Sequence, residues 1–288
     1  MIYKRALTEP AWARWLLIGA ALGFLGLFVV VPLVAVFSEA LANGWRLYLE
    51  AITTPYARHA LFLTLGVAAV CVVINGVFGI AAAWCLTRFR FPGKTLLSTL
   101  IDLPFSVSPV VVGLLFVLLF GARGWFGPWL IEHDIKVIFA VPAIVIATLF
   151  ITFPFVVREL VPVMQAVGTE DEEAARVLGA SGWSIFWRIT LPNIKWGIIY
   201  GIILCSARAI GEFGAVSVVS GKVRGETNTL PLHVEDLYNE YQQQAAFACA
   251  SLLSLFAVLT LAGKALVEWW SERSARRHAA EARGGVEG

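Results

Sequence analysis

Long apolar runs alternate with short polar stretches along this chain. A helix that crosses a bilayer needs about 20 mostly apolar residues, and several segments reach that length. They lie near residues 15–37, 60–87, 100–122, 138–165, 196–221 and 244–268. Lipid offers no hydrogen-bond partner to a backbone, and the alternation typical of barrel strands is absent. We therefore predict an all-α polytopic membrane protein with six transmembrane helices.

Composition supports a single transmembrane domain. Of the 288 residues, 59% are hydrophobic and 15% are charged, whereas soluble domains have about 25% charged residues. We assign this domain to residues 15–270, between a short N-terminus at 1–14 and a polar tail at 271–288. We expect the tail to be a frayed helix end followed by disorder. The first apolar segment is longer than the core of a signal peptide, so we interpret it as a retained helix.

The lysines and arginines indicate how the chain is oriented, because cytoplasmic loops carry an excess of both. With a cytoplasmic N-terminus, six of the 22 lie on the outer side and Arg208 lies inside a span. The outer six are Arg46, Arg58, Arg123, Lys136, Lys222 and Arg224. The rest, including Arg88 and Arg158, face the cytoplasm. We predict that both termini are cytoplasmic, which also places the loop 166–195 there.

Patterns for binding metals or nucleotides are weak in this sequence. The four cysteines lie in apolar segments without CxxC spacing, and the four histidines are scattered, so we predict no metal and no cofactor. Gly93-Lys94-Thr95 could end a phosphate-binding loop, but Arg88 stands where its first glycine belongs. We predict that this chain catalyses no bond chemistry, and a membrane-embedded enzyme is the weakest alternative.

The loop 166–195 has the pattern of two short helices, which we call the elbow. Thr169 and Glu172 match a capping box, in which the two residues satisfy each other's free backbone donors. We place Gly179 just past the end of the first helix, and Ser181 can cap the second. The aromatic residues of the second helix lie on one side: Trp183, Phe186 and Trp187.

The two arms of the elbow differ in chemistry. The aromatic second arm suits a lipid interface. The first arm begins with four acids at 170–173, which would face anionic lipid head groups. We therefore interpret the first arm as a helix that inserts into a groove on a cytoplasmic protein.

A fixed pattern in the elbow carries a family resemblance. Glu173-Ala174-Ala175 is followed by three residues, Gly179, nine residues and Ile189-Thr190-Leu191-Pro192. This resembles the EAA loop of permease subunits from bacterial ATP-binding-cassette importers. The resemblance implies a coupling helix that docks on a separate ATPase subunit. The docking residues that it implies are Glu172, Glu173, Ala174, Ala175, Leu178, Gly179, Leu191 and Pro192.

Charged residues inside the fifth apolar segment allow more than one interpretation. Arg208 and Glu212 are four residues apart and would share one helix face. Such residues are usually paired and often line a watery path. The pair is therefore either a structural ion pair or part of a translocation path, and a third possibility is that Arg208 exchanges Glu212 for substrate as a gate moves.

The third apolar segment has the features of a broken helix. Asp102 lies near its start, and Pro104 and Pro109 interrupt it. Ser106 and Ser108 can bond the backbone groups that the prolines free. Broken helices often line substrate paths, so we predict that these polar residues form the path, with an ordinary proline kink as the alternative. In the fifth segment, the GxxxG step at residues 197 and 201 predicts close helix packing.

Four stretches narrow the resemblance. DLPFSVSPVVVGL, EEAARVLGASGW, ARAIGEFGAVSVVSG and TNTLPLHVEDLYNEY, in this order, resemble sulfate/thiosulfate importer permeases of the W type, over residues 60–268. Molybdate permeases share the ARA-x-GEFGA stretch, so a molybdate or tungstate permease remains an alternative. An ATP-independent secondary transporter is a further one.

The resemblance also implies an assembly in the bacterial cytoplasmic (inner) membrane. The chain would pair with a second, related permease, or with its own copy, and would form half of the translocation path. Two ATPase subunits would carry ATP and magnesium, and a periplasmic binding protein would deliver the oxyanion. No nucleic acid is implied.

Overall fold

The computed structural model describes residues 11–284, with side chains as far as residue 270. Within these bounds every regular element is a helix, which confirms the all-α fold class. The helices are α1 Ala11–Leu41, α2 Trp45–Thr53, α3 Pro55–Arg88, α4 Lys94–Ser106, α5 Pro109–Phe120, α6 Gly127–Glu132, α7 Val141–Val167, α8 Glu170–Val177, α9 Gly182–Asn193, α10 Lys195–Ile210, α11 Gly214–Val219, α12 Leu230–Asn239 and α13 Gln243–Gly284. The polar tail continues α13 as far as Gly284, and the disorder predicted beyond it lies outside the described residues, as does most of the predicted N-terminal segment.

Four long helices match four of the predicted spans. They are α1, α3, α7 and α13 up to Trp270, each long and apolar enough to cross a membrane. The predicted span 100–122 corresponds to the bent pair α4–α5, and the predicted span 196–221 overlaps only the second half of the bent pair α9–α10. The described residues therefore hold four spans, or up to six if each bent pair counts as one. The count of six and the cytoplasmic termini stay predictions.

The third predicted span is broken at its centre. The axes of α4 and α5 meet at 109°, and Val107 and Ser108 between them are extended, with ψ of 134° and 135°. Proline disfavours helical backbone in the residue before it and supplies no N–H, so Pro109 ends one helix and begins the next. The predicted break is confirmed. The predicted bonding by serine is not seen at Ser108, whose side chain makes no capping hydrogen bond.

The fifth predicted span, 196–221, is wrong as one continuous helix. α10 ends at Ile210, and α11 begins at Gly214. Between them the Glu212 carboxylate accepts a hydrogen bond from the Ala215 N–H at 2.9 Å, so a side chain takes the place of a helical carbonyl. α11 then packs against α5, where a Cβ on Gly214 would come within 2.9 Å of Pro109.

Glycines allow α3, α7 and α10 to pack closely, and these three helices form the centre of the molecule. A Cβ on Gly79 would lie 2.6 Å from the Val156 side chain. A Cβ on Gly201 would lie 3.3 Å from the Cα of Val156, and one on Gly197 would lie 3.1 Å from Val163. The predicted close packing of the GxxxG step is therefore confirmed. The elbow is attached to this packed centre, because α7 leads into the elbow and α10 follows it.

Candidate functional site

The elbow folds as two short helices that meet at a left-handed glycine. Gly179 has φ of +87°, which is costly for a residue with a Cβ. The Gly179 N–H donates to the Arg176 carbonyl at 3.0 Å, and the Ala180 N–H donates to the Ala175 carbonyl at 3.0 Å. These bonds close the end of α8. The predicted roles of Gly179 and of Ser181, whose hydroxyl accepts from the Ser184 N–H at 3.3 Å, are confirmed.

The predicted capping box at the start of α8 is wrong. The Thr169 side chain makes no capping bond, and its hydroxyl instead donates to the Glu173 carboxylate at 2.7 Å. Glu172 turns away from the helix start toward Arg88. The guanidinium offers this carboxylate an opposite charge and two parallel donors, whereas the backbone would offer a single neutral N–H.

Arg88, the last residue of α3, clamps the start of the elbow. Its Nε lies 2.9 Å from Glu172 Oε2, and its Nη2 donates to Glu172 Oε1 at 3.0 Å, which makes a two-pronged contact. Its Nη1 donates to the Met164 carbonyl at 3.1 Å and its Nη2 to the Gly168 carbonyl at 2.6 Å. The side chains of Arg88 and Glu172 are 9% and 14% exposed. Sequence reasoning placed Arg88 in a basic turn and missed this role, because nothing local links position 88 to position 172.

Glu172 also holds the second arm of the elbow. The buried Thr190 hydroxyl donates to Glu172 Oε1 at 2.9 Å. Nearby, the Asn193 amide donates to Asp171 Oδ2 at 3.1 Å. Glu172 therefore ties α3, α8 and α9 together, and its carboxylate faces the protein interior.

The second arm carries an aromatic face, as predicted. Ring centroids are 6.2 Å apart for Trp183 and Phe186, and 5.7 Å apart for Trp183 and Trp187. Phe186 also contacts Trp84 of α3, with 5.0 Å between centroids. The tryptophans remain largely open, and Trp183 is 72% exposed.

The first arm presents an apolar ridge to its surroundings. Val177 and Leu178 are 87% and 88% exposed, and Ala174, Glu173 and Gly179 are exposed beside them. Ala175 and Leu191 are half-buried, and Pro192 is exposed at the end of α9. Apart from Glu172, the predicted docking residues are thus exposed or half-buried on the elbow.

Arg208 and Glu212 form the predicted pair but do not share a helix. Arg208 Nη1 lies 2.6 Å from Glu212 Oε2. Glu212 lies in the break after α10, with its side chain 1% exposed, whereas that of Arg208 is 30% exposed. Because the same carboxylate also caps α11, the geometry favours the interpretation of a structural ion pair.

Asp102 pairs with an arginine that sequence reasoning had assigned to the cytoplasm. Arg158 lies inside α7, with Nε 2.9 Å from Asp102 Oδ1. Its guanidinium carbon lies 4.6 Å from the centre of the Phe105 ring. The side chains of Arg158 and Asp102 are 58% and 40% exposed. Ser106 and Ser108 are exposed further along, at the break between α4 and α5.

Comparison with known proteins places these features in context. Residues 75–276 match the family described as "Binding-protein-dependent transport system inner membrane component". The chain is 48% identical to the sulfate transport system permease protein CysW of Escherichia coli (strain K12) over 275 residues, 95% of this chain and 94% of the relative. It is 40% identical to the CysT permease protein of the same strain and system over 250 residues, 85% and 90% of the two chains. A crystal structure of a bacterial ABC transporter that imports alginate matches with a TM-score of 0.74 and 17% identity, over 91% of this chain and 96% of that one.

Proposed function

This chain belongs to the family of binding-protein-dependent transport system inner membrane components, and we propose that it is the membrane-spanning permease subunit of an ATP-driven sulfate importer. The family assignment makes it a multi-pass protein of the inner membrane. The observation that carries sulfate as the substrate is the identity to a sulfate permease over almost the whole of both chains. Thiosulfate, which has the same tetrahedral shape and charge, is a second substrate of the same site.

The importer contains a second permease, a binding protein and two ATPase subunits. Similarity to both kinds of permease from one sulfate system supports a pair of unlike permeases that enclose the path between them. The family is defined by dependence on a binding protein. ATP and magnesium bind to the ATPase subunits.

The elbow docks on an ATPase subunit through the ridge of Val177 and Leu178. A monomer gains nothing from two adjacent apolar side chains that are almost fully exposed. A groove on a partner would bury them, while the acids of α8 other than Glu172 stay in water. In this arrangement the elbow and both termini are cytoplasmic.

Motion of the ATPase reaches the membrane helices through three rigid connections. α7 enters the elbow, α10 leaves it, and Arg88 fastens it to the end of α3. A shift of α8 therefore has to move the packed centre of α3, α7 and α10 as a unit. This is a two-state element that nucleotide binding can bias.

The translocation path follows the bent pair α4–α5. Ser106 and Ser108 are exposed along it and Asp102 is partly exposed, although they lie in apolar segments where exposure to lipid is costly. The Arg208–Glu212 pair supports the start of α11, which packs against α5 at Pro109, so that it acts on the gate by holding a helix in place.

Uptake of radiolabelled sulfate, in cells that lack their own copy of this subunit, tests the proposal. We expect wild type to restore uptake and Leu178→Asp to abolish it, because a carboxylate in the docking groove is not solvated. The ATPase should co-purify with wild type and be lost from Leu178→Asp. Tyr241→Asp is the matched control, since Tyr241 is 90% exposed and lies in the loop between α12 and α13.

Two outcomes would contradict different parts of the proposal. If wild type restores molybdate uptake and not sulfate uptake, the substrate is wrong. If Leu178→Asp reaches the membrane in normal amounts and both transports sulfate and retains the ATPase, the docking surface is wrong.

A further inference from the structure

A polar cleft lies between α4 and α7, beside the elbow. Its volume is about 440 Å³, and Leu86, near the end of α3, forms part of its wall. The polar residues that line it come from α4 and α7: Lys94, Thr95, Ser98, Asp102, Arg158 and Gln165. Two of these are cations and one is an acid, so the charged lining has an excess of positive charge.

Arg158 presents open donors to this cleft. Nε is the only atom of its guanidinium with a hydrogen bond to the described residues, and it is bonded to Asp102. The Phe105 ring lies against the guanidinium at 4.6 Å, which limits its rotation. The outer nitrogens Nη1 and Nη2 are thus held in position and remain open to water. Two parallel N–H donors on a planar fork match two oxygens of a tetrahedral anion.

We propose that this cleft is an oxyanion site on the elbow side of the path, where Arg158 and Lys94 bind the transported dianion before its release. The proposal rests on the proposed function, which supplies the substrate. Hydroxyl groups of Thr95 and Ser98, both exposed in the cleft, add neutral donors. The cleft is larger than a tetrahedral oxyanion, so the ion keeps much of its water and binds weakly, as release requires.

Asp102 sets the affinity of this site by opposing the anion. It keeps Arg158 in place through Nε, but its charge repels a dianion bound at Nη1 and Nη2. The two partners of one ion pair therefore have opposite effects on binding. A purely structural ion pair would behave differently, because loss of either partner would then impair the protein in the same direction.

Inhibition of uptake by internal sulfate tests the proposal. The complete importer is reconstituted in liposomes with the binding protein outside, and the liposomes are preloaded with sulfate or with chloride at equal ionic strength. We expect internal sulfate to slow wild-type uptake, because it occupies the cleft. Arg158→Gln should raise the half-inhibitory internal concentration about tenfold, the scale of one charge-assisted contact. Asp102→Asn should lower it.

The variants and the control distinguish failure of the proposed function from failure of the proposed oxyanion site. Arg46→Gln, in the exposed helix α2, should leave the half-inhibitory concentration unchanged. If wild type takes up no sulfate from the binding protein, the proposed function fails. If wild type takes up sulfate but internal sulfate does not inhibit, or if Arg158→Gln and Asp102→Asn shift the inhibition in the same direction, the cleft is not an oxyanion site.

Discussion

Two arginines on neighbouring membrane helices, Arg88 and Arg158, make nearly the same contact in different settings. Each places Nε 2.9 Å from a carboxylate oxygen on another element. The Arg88–Glu172 pair is 9% and 14% exposed, whereas the Arg158–Asp102 pair is 58% and 40% exposed. Every nitrogen of the Arg88 guanidinium has an acceptor among the described residues. The contact distance is thus the same in both pairs. The Arg88–Glu172 pair fastens the elbow to α3, which we call the joint, whereas the Arg158–Asp102 pair leaves guanidinium donors free for a ligand.

Burial decides which of these outcomes follows. Loss of one partner from a buried pair leaves an uncompensated charge and costs about 3–5 kcal/mol. An exposed pair contributes about 0–1 kcal/mol, because water solvates both groups when they separate. Changes at Arg88 should therefore alter the structure of the elbow, and changes at Arg158 should alter ligand binding and leave the structure intact.

Arg88→Ala should have the largest effect. It removes the partner of Glu172 and the Arg88 donors to the Met164 and Gly168 carbonyls. With a cost of about 3–5 kcal/mol, we expect the elbow to detach from α3 and sulfate uptake to fall to background. The measurement is uptake normalised to the amount of subunit in the membrane, together with limited proteolysis of the elbow.

A double variant checks the cause of that loss. Glu172→Gln added to Arg88→Ala removes the uncompensated charge, so proteolysis of the elbow should slow relative to the single variant. If the double variant is cut as fast as Arg88→Ala, or if Arg88→Ala itself transports normally, the joint does not depend on this ion pair.

Substitution by lysine should distinguish the two arginines more finely. Arg88→Lys keeps the charge but cannot reach Glu172 and two carbonyls in fixed directions, so we expect uptake to fall by about tenfold, the effect of about 1.4 kcal/mol. Arg158→Lys keeps the charge in a wet cleft and should lower the maximal uptake by less than about twofold. Equal losses in the two variants would mean that burial does not separate these sites.

The sequence predicted the helices well and their contacts poorly, for a physical reason. Long apolar runs and the Gly179 turn depend on nearby residues, and both could be located from the pattern. The role of Glu172 could not, because its partner Arg88 is distant along the chain and only packing of α3 on α7 brings them together. A strong distant partner then overrode the local preference for a capping box at Thr169.

The break after Ile210 shows the same limit within one span. The apolar run continues through 196–221, and no proline interrupts it. Glu212 nevertheless ends the helix there, since its carboxylate forms an ion pair with Arg208 and accepts a hydrogen bond from the start of α11. A residue predicted as one half of an ion pair thus also determines where the backbone turns.

Thr190→Val should have a smaller effect, confined to the elbow. The valine keeps the shape of the buried threonine but removes the donor to Glu172 Oε1, which still has Arg88. Loss of one hydrogen bond to a charged group costs about 1.5–3 kcal/mol, below the about 3–5 kcal/mol expected for Arg88→Ala, so we expect faster amide exchange in α9 and only a partial loss of uptake. Thr260→Val is the control, because its exposed hydroxyl bonds only its own helix. If uptake in Thr190→Val falls to background, the contact of Glu172 with α9 contributes more to the elbow than its contact with α3.

Arg46→Ala should have the smallest effect, and it tests whether contact distance alone matters. Arg46 Nε lies 3.0 Å from Glu50 Oε1, almost the distance seen at Arg88, but the two side chains are 91% and 56% exposed. An exposed pair one helical turn apart contributes about 0.3–0.5 kcal/mol. We therefore expect the same sulfate uptake and the same amount of subunit in the membrane as for wild type. A loss comparable to that of Arg88→Ala would show that burial does not explain the difference between the joint and the cleft.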